Sequence, residues 1–224
     1  MLLDRYFGFT KVMDEYSFVD SMIEHAKIDE EEIYLLQKMV ASLCDKSTDD
    51  TLDFFEKINR IHQDSNRLFE RVADEIIQAD FNHQKQYDLL RVYQRIDSIS
   101  HSIVAIAKSL LILSRMNQKL PLSLQDRTQK IISNILLLHQ GFSKALSDYQ
   151  VNKPHLLHHI HQITESALNI EDLCFQSTET LYLLANQNTF KMGSFRAIEN
   201  SYDHLGTLSK SIEKAGISLE WLLI

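Results

Sequence analysis

At 224 residues, 44% hydrophobic and 24% charged, the chain has globular composition and length for one large domain or two small ones. Its 5 glycines and 2 prolines are about 3% of the sequence, against roughly 12% in an average chain, and Met1 to Leu120 contains no proline and only Gly8. Disorder and collagen are excluded, and an all-α protein is favoured over barrels and sandwiches, which need a turn signal every ~8 to 12 residues. The formal charge of -8 is uneven, with 19 acidic against 9 basic residues in positions 1 to 80 and neither part offering a basic run. Nucleic-acid binding, which depends on neutralising phosphates, is therefore not expected.

From the start of the chain, Met1-Leu2-Leu3-Asp4-Arg5-Tyr6-Phe7 lacks the basic and then apolar pattern of a secretory signal. The first predicted helix follows Val12, Tyr16, Val19, Ile23, Ala26, Ile33, Leu36, Val40 and Leu43. Within it Asp29, Glu30, Glu31 and Glu32 read as a solvated acidic face. A break at Asp45 to Asp50, where Asp50 or Thr51 would cap, leads to a second helix along Phe54, Ile58, Ile61, Ser65, Leu68, Val72 and Ile76. After Asp80 to Gln86, the third runs Leu89, Val92, Ile96, Ile99, Ile103, Ile106, Leu110, Leu113, an unbroken alternation of threes and fours that makes a heptad seam. Its most apolar stretch, Ile103 to Leu113, contains Lys108 and Ser109 and is shorter than the ~18 residues of a membrane span.

Asn117 to Pro121 is the midpoint break. The fourth helix opens at Leu122 or Ser123 and follows Thr128, Ile131, Ile135, Leu138, Phe142, Ala145 and Tyr149. Gln150 to Pro154 precedes a fifth along Ile160, Ile163, Ala167, Ile170, Cys174, Ser177, Leu181 and Leu184. Asn186 to Ser194 precedes a sixth, opening at Ser194 after Gly193, along Ile198, Tyr202, Leu205, Leu208, Ile212, Ala215, Leu219 and Leu222. Short loops between long helices force antiparallel neighbours. The reading is all-α: six long antiparallel helices in two pseudo-repeated three-helix bundles, residues 1-118 and 119-224, forming a single domain.

Polar residues beside the seams are the candidates for chemistry. His62 and Asn66 share a face of the second helix with Asp64 one step around it, and Asp97 and His101 share a face of the third. An antiparallel pair sets them at comparable depth, so they either hold a metal ion or border the core as hydrogen-bonded polar residues. His155, His158, His159 and His161 crowd the start of the fifth helix, where they read as exposed. Cys44 and Cys174 have no metal or redox spacing and read as buried, reduced thiols. Trp221 reads as the end of the core, with a dimer contact as the alternative. No phosphate loop, GxSxG, HExxH or Glu-x-x-His pair is present, which argues against an enzyme.

Two stretches, INRIHQDSNRLFERVADEIIQADF and YDLLRVYQRIDSISHSIVAIAKSLL, resemble the PhoU-like phosphate-transport regulators, specifically the divergent branch found beside Pit-type phosphate permeases. That family carries Glu-x-x-x-Asp on one helix and an Asp…Leu…Asp-Asp..Asp pattern on the next. Here Asp88, Leu89 and Asp97 match the second pattern, with Ser98 and His101 at its other acidic positions, while His62 and Asn66 stand at those of the first. In the second half, ITESALNIEDL and AIENSYDHLGTLSKSIEKAGISLEWLLI keep the hydrophobic frame, with Gly206 and Lys210 near the acidic positions.

The resemblance implies two three-helix repeats and a cytoplasmic, non-enzymatic regulator or accessory protein of inorganic phosphate transport. Such a protein would dock on a permease or signalling partner, peripheral to the inner membrane through that partner, without inserting in the bilayer. It implies a single divalent or transition metal ion at His62, Asp64, Asp97 and His101 that biases homo-oligomer formation. The alternative is a helical scaffold or adaptor unrelated to phosphate, and a permease gene next to this one would favour the first reading.

Overall fold

A computed structural model of the chain describes residues 15–45, 47–117, 120–149, 151–187 and 190–223. Six helices fill it: α1 (Glu15–Asp45), α2 (Thr48–Gln78), α3 (His83–Arg115), α4 (Leu122–Tyr149), α5 (Lys153–Ala185) and α6 (Met192–Ser218), closed by a 3-10 turn at Leu219–Leu223. No strand occurs among the described residues, so the all-α bundle expected from periodicity is what forms. Val12 and the N-terminal Met1 to Phe7 lie outside the described residues.

The helices begin earlier than the sequence breaks suggest, and the caps explain why. Ser47, rather than Asp50 or Thr51, caps α2: its hydroxyl oxygen accepts from the Asp50 N–H at 3.3 Å. Thr51 is instead fully buried, its hydroxyl paired with Ser42 at 2.8 Å. Asn82 and Asn152 cap α3 and α5 by accepting from the Lys85 and His155 N–H groups at 2.9 and 3.3 Å. At α6 the cap is Lys191, with no side-chain bond, and Ser194 lies inside the first turn with its hydroxyl 3.7 Å from Met116 Sδ. Neither Gly193 nor Ser194 opens the helix. A Cβ on Gly193 would lie 2.8 Å from Met116 Cε, the far end of a flexible side chain that is 47% exposed and free to swing aside, so the end of α3 comes close to α6 without requiring glycine there.

Helices α1, α2 and α3 pack on one another, α4, α5 and α6 do the same, and the trios meet through α3 against α6 and α1 against α4. The buried residues form one continuous core through both trios. Helix α3 has the length and composition to cross a membrane, yet most of its apolar window is buried here against other helices.

One end of the bundle is clasped by polar contacts. Lys85 Nζ on α3 lies 2.7 Å from Glu15 of α1 and donates to the Leu222 carbonyl at 3.3 Å. The Tyr149 hydroxyl at the end of α4 reaches both Glu15 and the same carbonyl, the latter at 2.8 Å. Nearby, the guanidinium groups of Arg91 and Arg95 lie over the Trp221 ring, 3.8 and 4.4 Å from its centre. Trp221 thus packs against α3, partly buried, as the expected end of the core.

Candidate functional site

Heptad packing normally fills a seam with aliphatic side chains, and α1 departs from this at mid-length. His25, Asp29 and Glu32 follow one another at spacings of four and three on its inward face, and all three are fully buried. Asp29 and Glu32 are therefore not part of a solvated acidic face. Of the four consecutive acids only Glu31 is exposed, because a helix turns neighbours about 100° apart and 29 and 32 return to the interior. Opposite them stand Ser65 of α2, Tyr93, Asp97 and Ser100 of α3, and His139 of α4, all buried except for the half-buried Asp97.

Three of the four residues singled out from the sequence border this cluster. The His62 and His101 rings meet edge to face at 4.8 Å, and His101 Nδ1 lies 3.5 Å from Asp97 Oδ2. Asn66 Nδ2 donates to His62 Nε2 at 3.3 Å, which leaves His62 Nδ1–H to donate to Ser100 Oγ at 2.7 Å. Asp64 does not join them. Two positions from His62 on a helix point nearly opposite ways, and Asp64 faces solvent, paired with Arg67 at 2.9 Å. Asp88, the other matched acid, is held by Gln84 at 2.9 and 3.1 Å, one turn away on its own helix.

Depth separates the groups. His101 is at the surface, and behind it Asp97 leads to an interior in which His25 pairs with Tyr93 OH at 3.2 Å and Ser65 Oγ at 2.7 Å. Further in, His139 Nε2 and His25 Nε2 lie 4.0 and 3.9 Å from the two oxygens of Asp29, too far to bond. Both oxygens of Asp29, both of Glu32 and both nitrogens of His139 are buried without a hydrogen-bond partner.

Burial in a low dielectric disfavours charge. It pushes the Asp29 carboxyl well above the usual carboxylate range, and the negative charges of Glu32 and Asp97 push it the same way. Burial carries Glu32 up to about 8, with Ser100, whose O–H is left free by accepting from His62, pulling against it and the charges of Glu31 and Asp97 adding. Burial holds His139 down to about 3, with the His25 charge adding, and His25 down to about 4, with His101 and His62 adding. Glu32, His25 and His139 are therefore neutral at neutral pH or just below it, and burial favours the protonated form of Asp29 beside them.

This arrangement can store and exchange protons. As a catalyst it lacks both base and access: His62 donates its Nδ1–H to Ser100 Oγ and so cannot take that hydroxyl's proton, and Ser100 is fully buried. A metal ion, as the family resemblance implies, does not fit the side chains as placed. Among the described residues no three His, Cys, Asp or Glu are grouped to hold one. A surface groove of about 370 Å³ between α4 and α5, lined by Gln140, Lys144, His159 and Glu165 among others, contains none of the cluster residues.

The remaining candidates resolve simply. Of the four helix-start histidines, His159 meets Asp148 across the α4–α5 loop at 3.1 Å and His161 meets Glu165 at 3.3 Å. Both cysteines are free; Cys174 is buried, and burial raises its thiol to about 12, whereas Cys44 is only partly covered. The interior acids escaped the sequence reading although it contained their trace. The α1 seam steps from Ala26 straight to Ile33, and the skipped turn is where Asp29 sits.

No protein-family model matches the chain, and a search of curated proteins finds no relative. Solved structures do match. A protein from Shewanella oneidensis MR-1, provisionally described as a PhoU-like phosphate regulatory protein, superposes with a TM-score of 0.78 at 14% identity, covering 92% of this chain and 99% of that one. A PhoU-like protein from the same organism gives 0.80 at 15% identity, again covering 92% and 99%. The chain has the PhoU-like fold.

Proposed function

We propose that this protein is a non-enzymatic regulator or accessory protein of inorganic phosphate transport that acts by docking on a permease or signalling partner at the cytoplasmic face of the membrane. The observation that carries the reading is the agreement of the whole six-helix arrangement, over 92% of this chain, with a protein described as a phosphate regulator. The family pattern around Asp88 and Asp97 on α3 supports it from the sequence side. A regulatory rather than catalytic role is supported by the burial of every hydroxyl and carboxyl on the cluster's floor, where no substrate has access. No metal step enters the reading.

Deleting the gene and following uptake of radiolabelled phosphate tests it. Uptake or its repression by external phosphate is expected to change and to be restored by the wild-type chain in trans. Unchanged uptake under both phosphate-rich and phosphate-starved growth would refute it.

A further inference from the structure

Helix α5 has two contrasting apolar faces. Its inner seam, from Leu156 and Ile160 to Leu181, is buried against α4 and α6. On the outside, Leu157, Leu168, Phe175, Tyr182 and Leu183 are exposed by 48%, 57%, 70%, 50% and 60%. Leu168, Phe175 and Tyr182 repeat every seven residues, and Leu157 precedes Phe175 by about five full turns, so these four share one line on the order of 38 Å long. Tyr182 is fixed in place, its hydroxyl on Glu199 and its ring edge on Phe195 at 5.3 Å.

The fold does not require this. Helix α2, the middle helix of the first trio, exposes Glu56, Arg60, Arg67, Glu70 and Asp74 on its outer surface, the charged face an outer helix ordinarily carries. A line of large exposed apolar side chains on the counterpart α5, one every two turns from Leu168 to Tyr182, marks a contact surface.

Its flank identifies what fits. Glu165, Asp172 and Glu179, also seven apart, run beside the stripe. Glu165 meets only His161, and Asp172 and Glu179 have no hydrogen-bond or ion-pair partner among the described residues. From Pro154 to Phe190 the sequence contains no lysine or arginine. A second copy docked α5 to α5 would set these acids against themselves, and a bilayer rich in anionic lipid would repel them. Neither suits the surface.

We propose that the outer stripe of α5 docks an amphipathic helix of a partner protein, with apolar residues at heptad spacing and lysine or arginine on the flank facing Glu165, Asp172 and Glu179. The inference deepens the docking reading above and rests on it for the partner's place in phosphate transport.

A photo-reactive benzoylphenylalanine at Phe175, in the full chain in its native host, tests the proposal by identifying the segment it labels. The expected label falls on a helix segment with heptad apolar residues flanked by Lys or Arg. A synthetic peptide of that segment should bind the wild-type chain. Phe175→Glu, and separately Asp172→Lys with Glu179→Lys, should each weaken binding at least tenfold with an unchanged circular dichroism melt, and the wild-type affinity should fall with added salt. Labelling confined to another copy of this chain, to lipid, to an acidic or neutral segment, or to nothing overturns the proposal, as does peptide binding indifferent to both variants. The transport reading is separable from this. Unchanged uptake on deletion, together with a labelled basic helix, removes transport and keeps docking. Altered uptake fully restored by Phe175→Glu, without labelling, removes docking and keeps transport.

Discussion

Glu32→Gln is the most informative single change in the buried cluster. Glu32 is fully buried with both carboxyl oxygens unpaired, and its surroundings hold the proton on it up to a pH of about 8, against 4.5 for an unperturbed glutamate. Below pH 4.5 both folded and unfolded chains carry that proton. Between 4.5 and 8 only the folded chain does, so raising the pH favours unfolding by about 1.4 kcal/mol per pH unit for one such group. His25 and His139 act oppositely. Neutral in the fold and protonated in the unfolded chain, they erode stability as the pH drops below 6.5 towards about 4 and about 3. The two effects oppose each other between pH 4.5 and 6.5, and above 6.5 the acids act without that opposition. From pH 6.5 to 8 Glu32 should cost on the order of 2 kcal/mol. Glutamine keeps the shape and cannot ionise. Urea unfolding of the metal-free protein at half-unit intervals should therefore show the variant gaining about 2 kcal/mol on the wild type across that window. Parallel profiles, or a variant that loses ground as the pH rises, would mean that the carboxylate is ionised and paired inside the fold, and the reasoning would be wrong.

Four further outcomes follow from particular contacts. Ser47→Ala removes the α2 cap and should cost about 1 kcal/mol in urea unfolding, whereas Asp49→Ala, in the first turn with no cap bond, should cost well under half of that. Gly206→Ala should stabilise α6 by about 0.5 to 1 kcal/mol, since its added Cβ meets nothing within 4 Å; Gly216→Ala should gain nothing or lose, since its Cβ would lie 3.2 Å from Ile163 Cδ1. Trp221→Leu should lose the Arg91 and Arg95 stacking and cost about 1 to 2 kcal/mol, read from the thermal midpoint. Dialysis against micromolar zinc or manganese followed by elemental analysis should leave less than one equivalent bound. A full equivalent that disappears in Asp97→Ala would show that the cluster rearranges around an ion.

The architecture was legible because long helices advertise themselves through one repeated spacing, and scarce glycine and proline leave few ways to break them. His62, Asp97 and His101 were legible for the same reason: one turn separates the latter two, and a short α2–α3 connection fixes which residues face each other. The floor of the site was not. Asp29 and Glu32 sit in a run of four acids that looks solvent-facing, and only the helical turn sends two of the four inward. His139 shares its region of α4 with the apolar Leu138, and nothing local to either helix says that α4 lies against α1 at that height. Such pairings between helices distant in sequence are set by how the trios meet. Ser47 was missed as a cap because Asp50 and Thr51 are equally good capping types, and choosing among them depends on where the α1–α2 connection turns.

The clasp formed by Glu15, Lys85, Tyr149 and the Leu222 carbonyl draws on residues spread across more than two hundred positions. During synthesis Glu15 and Lys85 emerge long before Leu222 does, so this latch closes only after all six helices have been made. Until then that end of the bundle lacks the contacts to the Leu222 carbonyl that seal it, and α1 and α3 are held there by apolar packing and the Glu15–Lys85 pair.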